Sequence, residues 1–260
     1  MATKKTKKLS ELTTASSVDS AAKFPMTDAN GKVTLATLAT LKAAVLNNMD
    51  TSSMYDNVMI MYHRKSDNYP LMTKLSKWTS LQTSGEIADG VAVVEGGHVL
   101  IVAPTESTSA LTWSSADITG GATTTSDRVT AIADWNGKSN TAAIIKASTT
   151  DAITNTAQYA PGYCNLYSRA NANGQGLTAG KWWLPSIGEL MMIYGNFSKI
   201  NYALSLITGA TQLQQSRYWT STEYSSKIAW YLYLTDGYLS NGGTKASYAG
   251  HVRAVSAFIS

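Results

Sequence analysis

Two apolar runs flank a glycine pair in GVAVVEGGHVLIVAP, and this pattern predicts a buried hairpin turning at Gly96–Gly97. A second pattern strictly alternates. In AWYLYLTDGYLS, Trp230, Leu232 and Leu234 point one way and Tyr231, Tyr233 and Thr235 the other, with a hairpin turn at Asp236–Gly237. HVRAVSAFI reads as a buried closing strand. Short strands are expected around Val58–Tyr62 and Leu71–Trp78. Helical spacing appears at Asn140–Ala147, within Asp151–Tyr167, and after Pro185. There Ser186 caps, Glu189 completes a capping box, and apolar positions recur from Leu190 to Leu206, with a break at Gly195–Asn196. Mixed periods of this kind predict an α+β protein.

Residues 1–50 have a different texture. They hold no Trp or Tyr and are rich in Ser, Thr and Ala. PMTDANGKVTLATLATLKAAV predicts a strand, a turn at Asp28–Gly31 and a helix capped by Thr34, with Leu35, Leu38, Leu41 (or Lys42) and Val45 on one face. So small an element pair is marginal unless its apolar face meets another chain, so self-association is expected. The expected organisation is an N-terminal module at 1–50, a connector at 51–83 and a ligand-binding domain at 84–260.

Charge changes this picture little. The net +4 is matched by Lys4, Lys5, Lys7 and Lys8 alone, leaving the remainder near neutral, without the basic face of a nucleic-acid binder. No apolar run reaches the ~18 residues of a membrane span, and no signal-peptide core follows the lysines. Cys164 is the single cysteine, so no intrachain disulfide forms, which fits assembly in a reducing cytoplasm.

Six of the 14 tyrosines lie between Arg217 and Val255, among Ser, Gly, Asn and Thr. Tyr offers large amphipathic contacts at low entropic cost, while Ser and Asn offer adaptable hydrogen bonds. Tyr224, Tyr231, Tyr233, Tyr238, Ser240, Asn241, Lys245, Tyr248 and His251 are therefore the expected ligand-binding residues, on one exposed face distal to the N-terminal module. Trp219 and Trp230 are expected in the core, and Arg253 is expected to reach a carboxylate such as Glu189 or Glu223.

Catalytic chemistry is not expected. Cys164 sits in an apolar, helical stretch, and His63, His98 and His251 are scattered without metal or triad spacing. D-W-N-G at Asp134–Gly137 reads as a polar turn rather than a calcium motif, and no glycine run cradles a phosphate. No cofactor and no metal are expected.

AIADWNGKSNTAAI (131–144), YCNLYSRANANGQGLTAGKWWLPSIGEL (163–190), RYWTSTEYSSKIAWYLY (217–233) and GHVRAVSAF (250–258), taken in order, resemble the C-type-lectin-like fold. The likeness is to the branch holding formylglycine-generating-enzyme relatives and phage variable binding proteins, including phage or prophage proteins of gut Bacteroidales. KLSELTTASSVDSAAKFPMTDANGKVTLATLATLKAAV resembles the N-termini of virion fibres in tailed phages. The resemblance implies a head or tail fibre or decoration protein, assembled as a homotrimer. Its N-terminal module would meet a capsid or tail protein, and its lectin-like domain a host-surface glycan or protein. A bacterial surface adhesin and a formylglycine-generating-type enzyme are the alternatives.

Overall fold

The computed structural model describes residues 23–27, 31–37, 56–117, 119–147 and 155–258. The chain divides into two compact units, Met1–Tyr55 and Asp56–Ser260. In the first, β1 (Lys23–Thr27) pairs antiparallel with β2 (Val33–Thr37), from Lys23 opposite Thr37 to Thr27 opposite Val33. Thr34 and Leu35, expected at a helix start, thus lie in a strand. The β-branched Val33, Thr34 and Thr37 favour an extended chain, and pairing with β1 supplies its hydrogen bonds. Val33 and Leu35 alternate onto one face and are each 65% exposed. Most of the expected turn (28–30) and the expected helix from Leu38 onward lie outside the described residues.

The second unit runs β3 (Val58–His63), β4 (Pro70–Thr73), α1 (Leu75–Thr83), β5 (Ala88–Glu95), β6 (His98–Val102) and β7 (Leu111–Thr112). Then come α2 (Arg128–Ile132), α3 (Gly137–Ala147), α4 (Ala160–Leu166), α5 (Ile187–Gly195) and α6 (Phe197–Ser205). Strands β8 (Arg217–Glu223), β9 (Ala229–Tyr233), β10 (Leu239–Ser240), β11 (Ala249–Gly250) and β12 (Val255–Ser256) end it. An antiparallel sheet has the order β12-β6-β5-β3-β4; a smaller one has β10-β9-β8, and β7 pairs with β11. The architecture is α+β.

Residues 56–83, expected as a connector, are instead integral to this unit, because β3 lies between β4 and β5. The expected strand at Leu71–Trp78 stops at Thr73, and α1 takes over. Leu75, Trp78 and Leu81 recur at helical spacing there, with Trp78 fully buried. The hairpin at Gly96–Gly97 forms as expected between β5 and β6.

Alternation along the larger sheet sends Ile60, Val91, Val93, Leu100 and Val102 into one core with α5 and α6. Met61, Ala92 and Ile101 go into a second core with Trp113, Cys164 and Trp182. Both faces of the sheet are therefore packed, which explains the unbroken apolar runs. Gly90 permits the close approach of β5 and β6: a Cβ there would lie 2.4 Å from the Val102 carbonyl oxygen.

Helix α5 begins in the expected capping box, where the Ser186 N–H donates to Glu189 Oε2 at 2.8 Å. Burial pushes the Glu189 pKa up to about 7, against the opposing hydrogen bonds from Ser186 and Trp183. Asn196 separates α5 from α6. Its side-chain amide donates to Glu95 Oε2 (2.6 Å) and to the Met192 carbonyl (3.0 Å), tying the junction of the two helices to β5.

Candidate ligand-binding face

The face is built on β9, the central strand of the smaller sheet. Arg217 lies opposite Tyr233, and Trp219 opposite Tyr231, across the β8–β9 pair. On the other side Leu239 faces Leu232 and Ser240 faces Tyr231. Gly237 takes φ 75° in the connecting turn, a conformation that favours glycine. The Tyr233 N–H donates to the Tyr238 carbonyl at 3.0 Å and the Tyr238 N–H to Asp236 Oδ1 at 2.9 Å, holding the turn shut.

Trp230 and Leu232 enter the first core and Tyr231 the second. The expected alternation is present, but the second face of β9 meets protein rather than solvent. Tyr231 is only 5% exposed. Its ring lies 5.5 Å from Trp219, edge on, and 5.4 Å from Tyr248, and its hydroxyl accepts from Ser240 Oγ at 2.8 Å. Ser240 is buried with it. Lys245 is fully buried as well: its ammonium pairs with the Glu223 carboxylate and donates to the Ser225 and Ser226 carbonyls at 3.0 and 3.1 Å. It also stands 4.5 Å above the Trp113 ring. Burial pulls the Lys245 pKa down, and Glu223 opposes that shift. Glu223 further accepts the Gly120 N–H at 3.0 Å and the Ala122 N–H at 3.2 Å. Tyr231, Ser240 and Lys245 are thus corrected from exposed contacts to packing, because the two cores enclose β9 on both sides.

The other expected residues retain exposure. Tyr238 is 53% exposed; Tyr233, Asn241, Tyr248, Tyr224 and His251 are partly so. Tyr233 and Tyr248 each contact the Tyr231 ring, and Tyr238 follows Tyr233 at 6.2 Å, so these four rings form one row. Tyr224 leaves that row, packing edge-on against Trp230 at 5.2 Å. His251 lies beside Tyr218, with Nδ1 3.3 Å from Glu106 Oε1.

Two residues of the face lay outside the sequence expectation. The Arg217 guanidinium sits 4.1 Å over the Tyr248 ring, donating from Nη1 to the Tyr248 hydroxyl (2.9 Å) and from Nε to the Ala249 carbonyl (2.7 Å). Arg128 sits 5.8 Å over the Tyr238 ring and donates to the Leu239 carbonyl at 3.1 Å. Only the strand register and the approach of α2 bring them there.

Trp219 and Trp230 are buried as expected. Arg253 reaches neither Glu189 nor Glu223. Glu106 is its partner at 3.0 Å and also accepts the Tyr218 hydroxyl at 2.6 Å. The pairing of β12 with β6 carries Arg253 toward the loop that follows β6. The polar turn at Asp134 forms, its Oδ1 accepting from the Asn136 N–H at 3.0 Å; Oδ2 accepts from Thr222 Oγ1 (2.7 Å) and Asn140 Nδ2 (2.8 Å). Beside it, Trp135 stacks on His98 at 3.9 Å over a groove of about 410 Å³. Cys164 is fully buried, which pushes its thiol pKa up. Among the described residues, no three His, Cys, Asp or Glu side chains gather as a metal site, and no helix is long and apolar enough to cross a membrane.

No family model matches the chain, and no curated protein is similar to it. Among solved structures, a fimbrial protein from Bacteroides ovatus ATCC 8483 is similar over 62% of this chain at 15% identity, with a TM-score of 0.43. The matched part spans 36% of that protein.

Proposed function

We propose that the chain is a virion fibre or decoration protein of a tailed phage. Its second unit, in this reading, is a C-type-lectin-like module that binds a host-surface ligand. The observation that carries the proposal is the row of Tyr238, Tyr233 and Tyr248, held against buried Tyr231 and Trp219. Rings fixed from beneath lose little freedom when a ligand arrives, so more of the contact energy appears as affinity. Asn241, partly exposed and next in the chain to Ser240, offers an adaptable polar group. The buried thiol of Cys164, its pKa raised by burial, favours a binding role over cysteine chemistry. The order of the C-terminal motifs supports the lectin-like reading, and the fibre-like N-terminal pattern supports placement on the virion.

The proposal includes a homotrimer assembled through the first unit. Val33 and Leu35, side by side and exposed on β2, supply apolar surface that a neighbouring copy would cover. The first unit would also meet the capsid or tail.

Purified phage particles and labelled full-length protein test the reading. The chain should co-purify with virions at fixed stoichiometry, and the free protein should decorate host cells and compete with phage attachment. Absence from virions removes the fibre assignment; failure to bind host cells removes the receptor-binding one.

A further inference from the structure

The tyrosine row ends in a cation on each side. Arg217 covers Tyr248 at one end and Arg128 covers Tyr238 at the other. Among the described residues, neither guanidinium has a carboxylate within ion-pair distance. The nearby acids are engaged elsewhere. Asp127 Oδ2 accepts the Thr130 N–H and hydroxyl, both at 2.7 Å, and Asp236 Oδ1 accepts the Tyr238 N–H. Arg217 directs two of its nitrogens to the Ala249 carbonyl and the Tyr248 hydroxyl, so it is held in place without being neutralised. A fixed guanidinium with no counter-ion, lying over an aromatic ring, is suited to a planar anion.

The surface between the cations is aromatic and hydroxylic. From Arg217 to His251, Tyr238 is the one large apolar side chain that is exposed, about half of it; on α2, Val129 beside Arg128 is exposed too. Tyr and Arg also suit a protein partner, and it is the two guanidiniums without counter-ions that point to an anionic ligand. Phenol rings offer faces to the C–H surfaces of sugars and hydroxyls to their polar rims.

We propose that this face binds an anionic glycan, its sugar rings lying along Tyr238, Tyr233 and Tyr248 and its carboxylate or sulfate groups meeting Arg128 and Arg217. The proposal rests on the reading of this face as the ligand surface and adds the ligand's chemical class.

Immobilised dextran, dextran sulfate and polygalacturonate test it, with full-length protein at physiological salt and host-cell binding measured in parallel. Retention on the sulfated or the uronate polymer and not on dextran is expected, and which polymer is preferred identifies the anion. Arg217→Gln and, separately, Arg128→Gln should each weaken that retention about tenfold, the scale of one lost charge-assisted contact. Arg128 is exposed, so its variant should fold normally and keeps the test valid if Arg217→Gln is unstable. A variant with Lys4, Lys5, Lys7 and Lys8 all changed to Gln should retain binding. If that variant alone loses it, attraction to the lysine cluster accounts for the retention and the proposal fails. Equal binding to dextran, or arginine variants that bind like wild type, also overturns it. Cell binding without binding to either anionic polymer rejects the anionic glycan while leaving the receptor-binding function standing. Failure on both cells and polymers rejects both.

Discussion

Tyr231→Ala should unfold the second unit well before Tyr238→Ala does, although both residues belong to one tyrosine row. The structure sets the scale. Tyr231 is 5% exposed and has Trp219, Tyr233 and Tyr248 within 5.6 Å. Truncating a buried aromatic to Ala costs about 3–5 kcal/mol. Losing the 2.8 Å bond from Ser240 leaves a buried hydroxyl without that partner, a further effect of about 1 kcal/mol that overlaps the first. With about 4 kcal/mol in total and roughly 2–4 °C per kcal/mol for a unit of this size, the melting temperature should fall by roughly 8–16 °C. Tyr231→Phe removes only the hydroxyl and should cost about 1 kcal/mol. Tyr238→Ala, at a half-exposed ring, should stay within about 0.5 kcal/mol of wild type. Thermal and urea melts followed by circular dichroism measure all three. A Tyr231→Ala protein melting within about 2 °C of wild type would refute the packing of β9 between two cores.

Three further outcomes follow from buried geometry and from the exposed hairpin. Glu189 has its pKa raised from 4.5 to about 7. Its contribution is therefore fully present below about pH 4.5 and lost as pH rises toward 7, a decline on the order of 3 kcal/mol. Glu189→Gln keeps an acceptor for the Ser186 N–H and removes the buried charge. Urea melts at pH 5 and pH 8 should show a smaller loss of stability with pH in this variant, and an unchanged loss would reject the assignment. Gly90→Ala places a carbon 2.4 Å from the Val102 carbonyl oxygen, so β5 and β6 must part; a loss of about 2 kcal/mol or more, or insoluble protein, is expected, and a wild-type melt would contradict it. Val33→Ser with Leu35→Ser removes apolar surface exposed on β2, and light scattering should show a smaller assembly than the proposed trimer, with the second unit still folded. A mass equal to wild type would place self-association elsewhere.

Local signals were legible in the sequence where short-range chemistry decides the structure. The Ser186–Glu189 capping box, the Gly96–Gly97 and Asp236–Gly237 turns and the helix break at Asn196 each depend on neighbours within a few residues. The β9 alternation was legible too, but period-two patterning does not say what covers each face. Tyr is at home both half-buried and exposed, so Tyr231 and Tyr238 look alike in sequence while one is packed and the other is open. Lys245 is buried where Glu223, 22 residues earlier, closes on it together with two carbonyls of the intervening loop. Arg253 found Glu106 rather than Glu189 or Glu223 for the same reason, since a pairing some 150 residues apart is set by the β12–β6 register. Arg128 joins the face from a helix about 110 residues before Tyr238, a juxtaposition that no local pattern carries. In KVTLAT, strand pairing to β1 overrode a weak helical spacing.

Attachment of the full-length protein to host cells, compared between wild type and Tyr238→Ala, decides whether the tyrosine row is a receptor-binding face. Tyr238 is the most exposed ring of the row and contributes little to packing, so its loss separates binding from folding. An unchanged melting temperature and a loss of attachment on the order of tenfold or more, the scale of an aromatic anchor, are expected. Full attachment by a folded Tyr238→Ala protein, with Tyr233→Ala behaving the same way, would contradict that expectation.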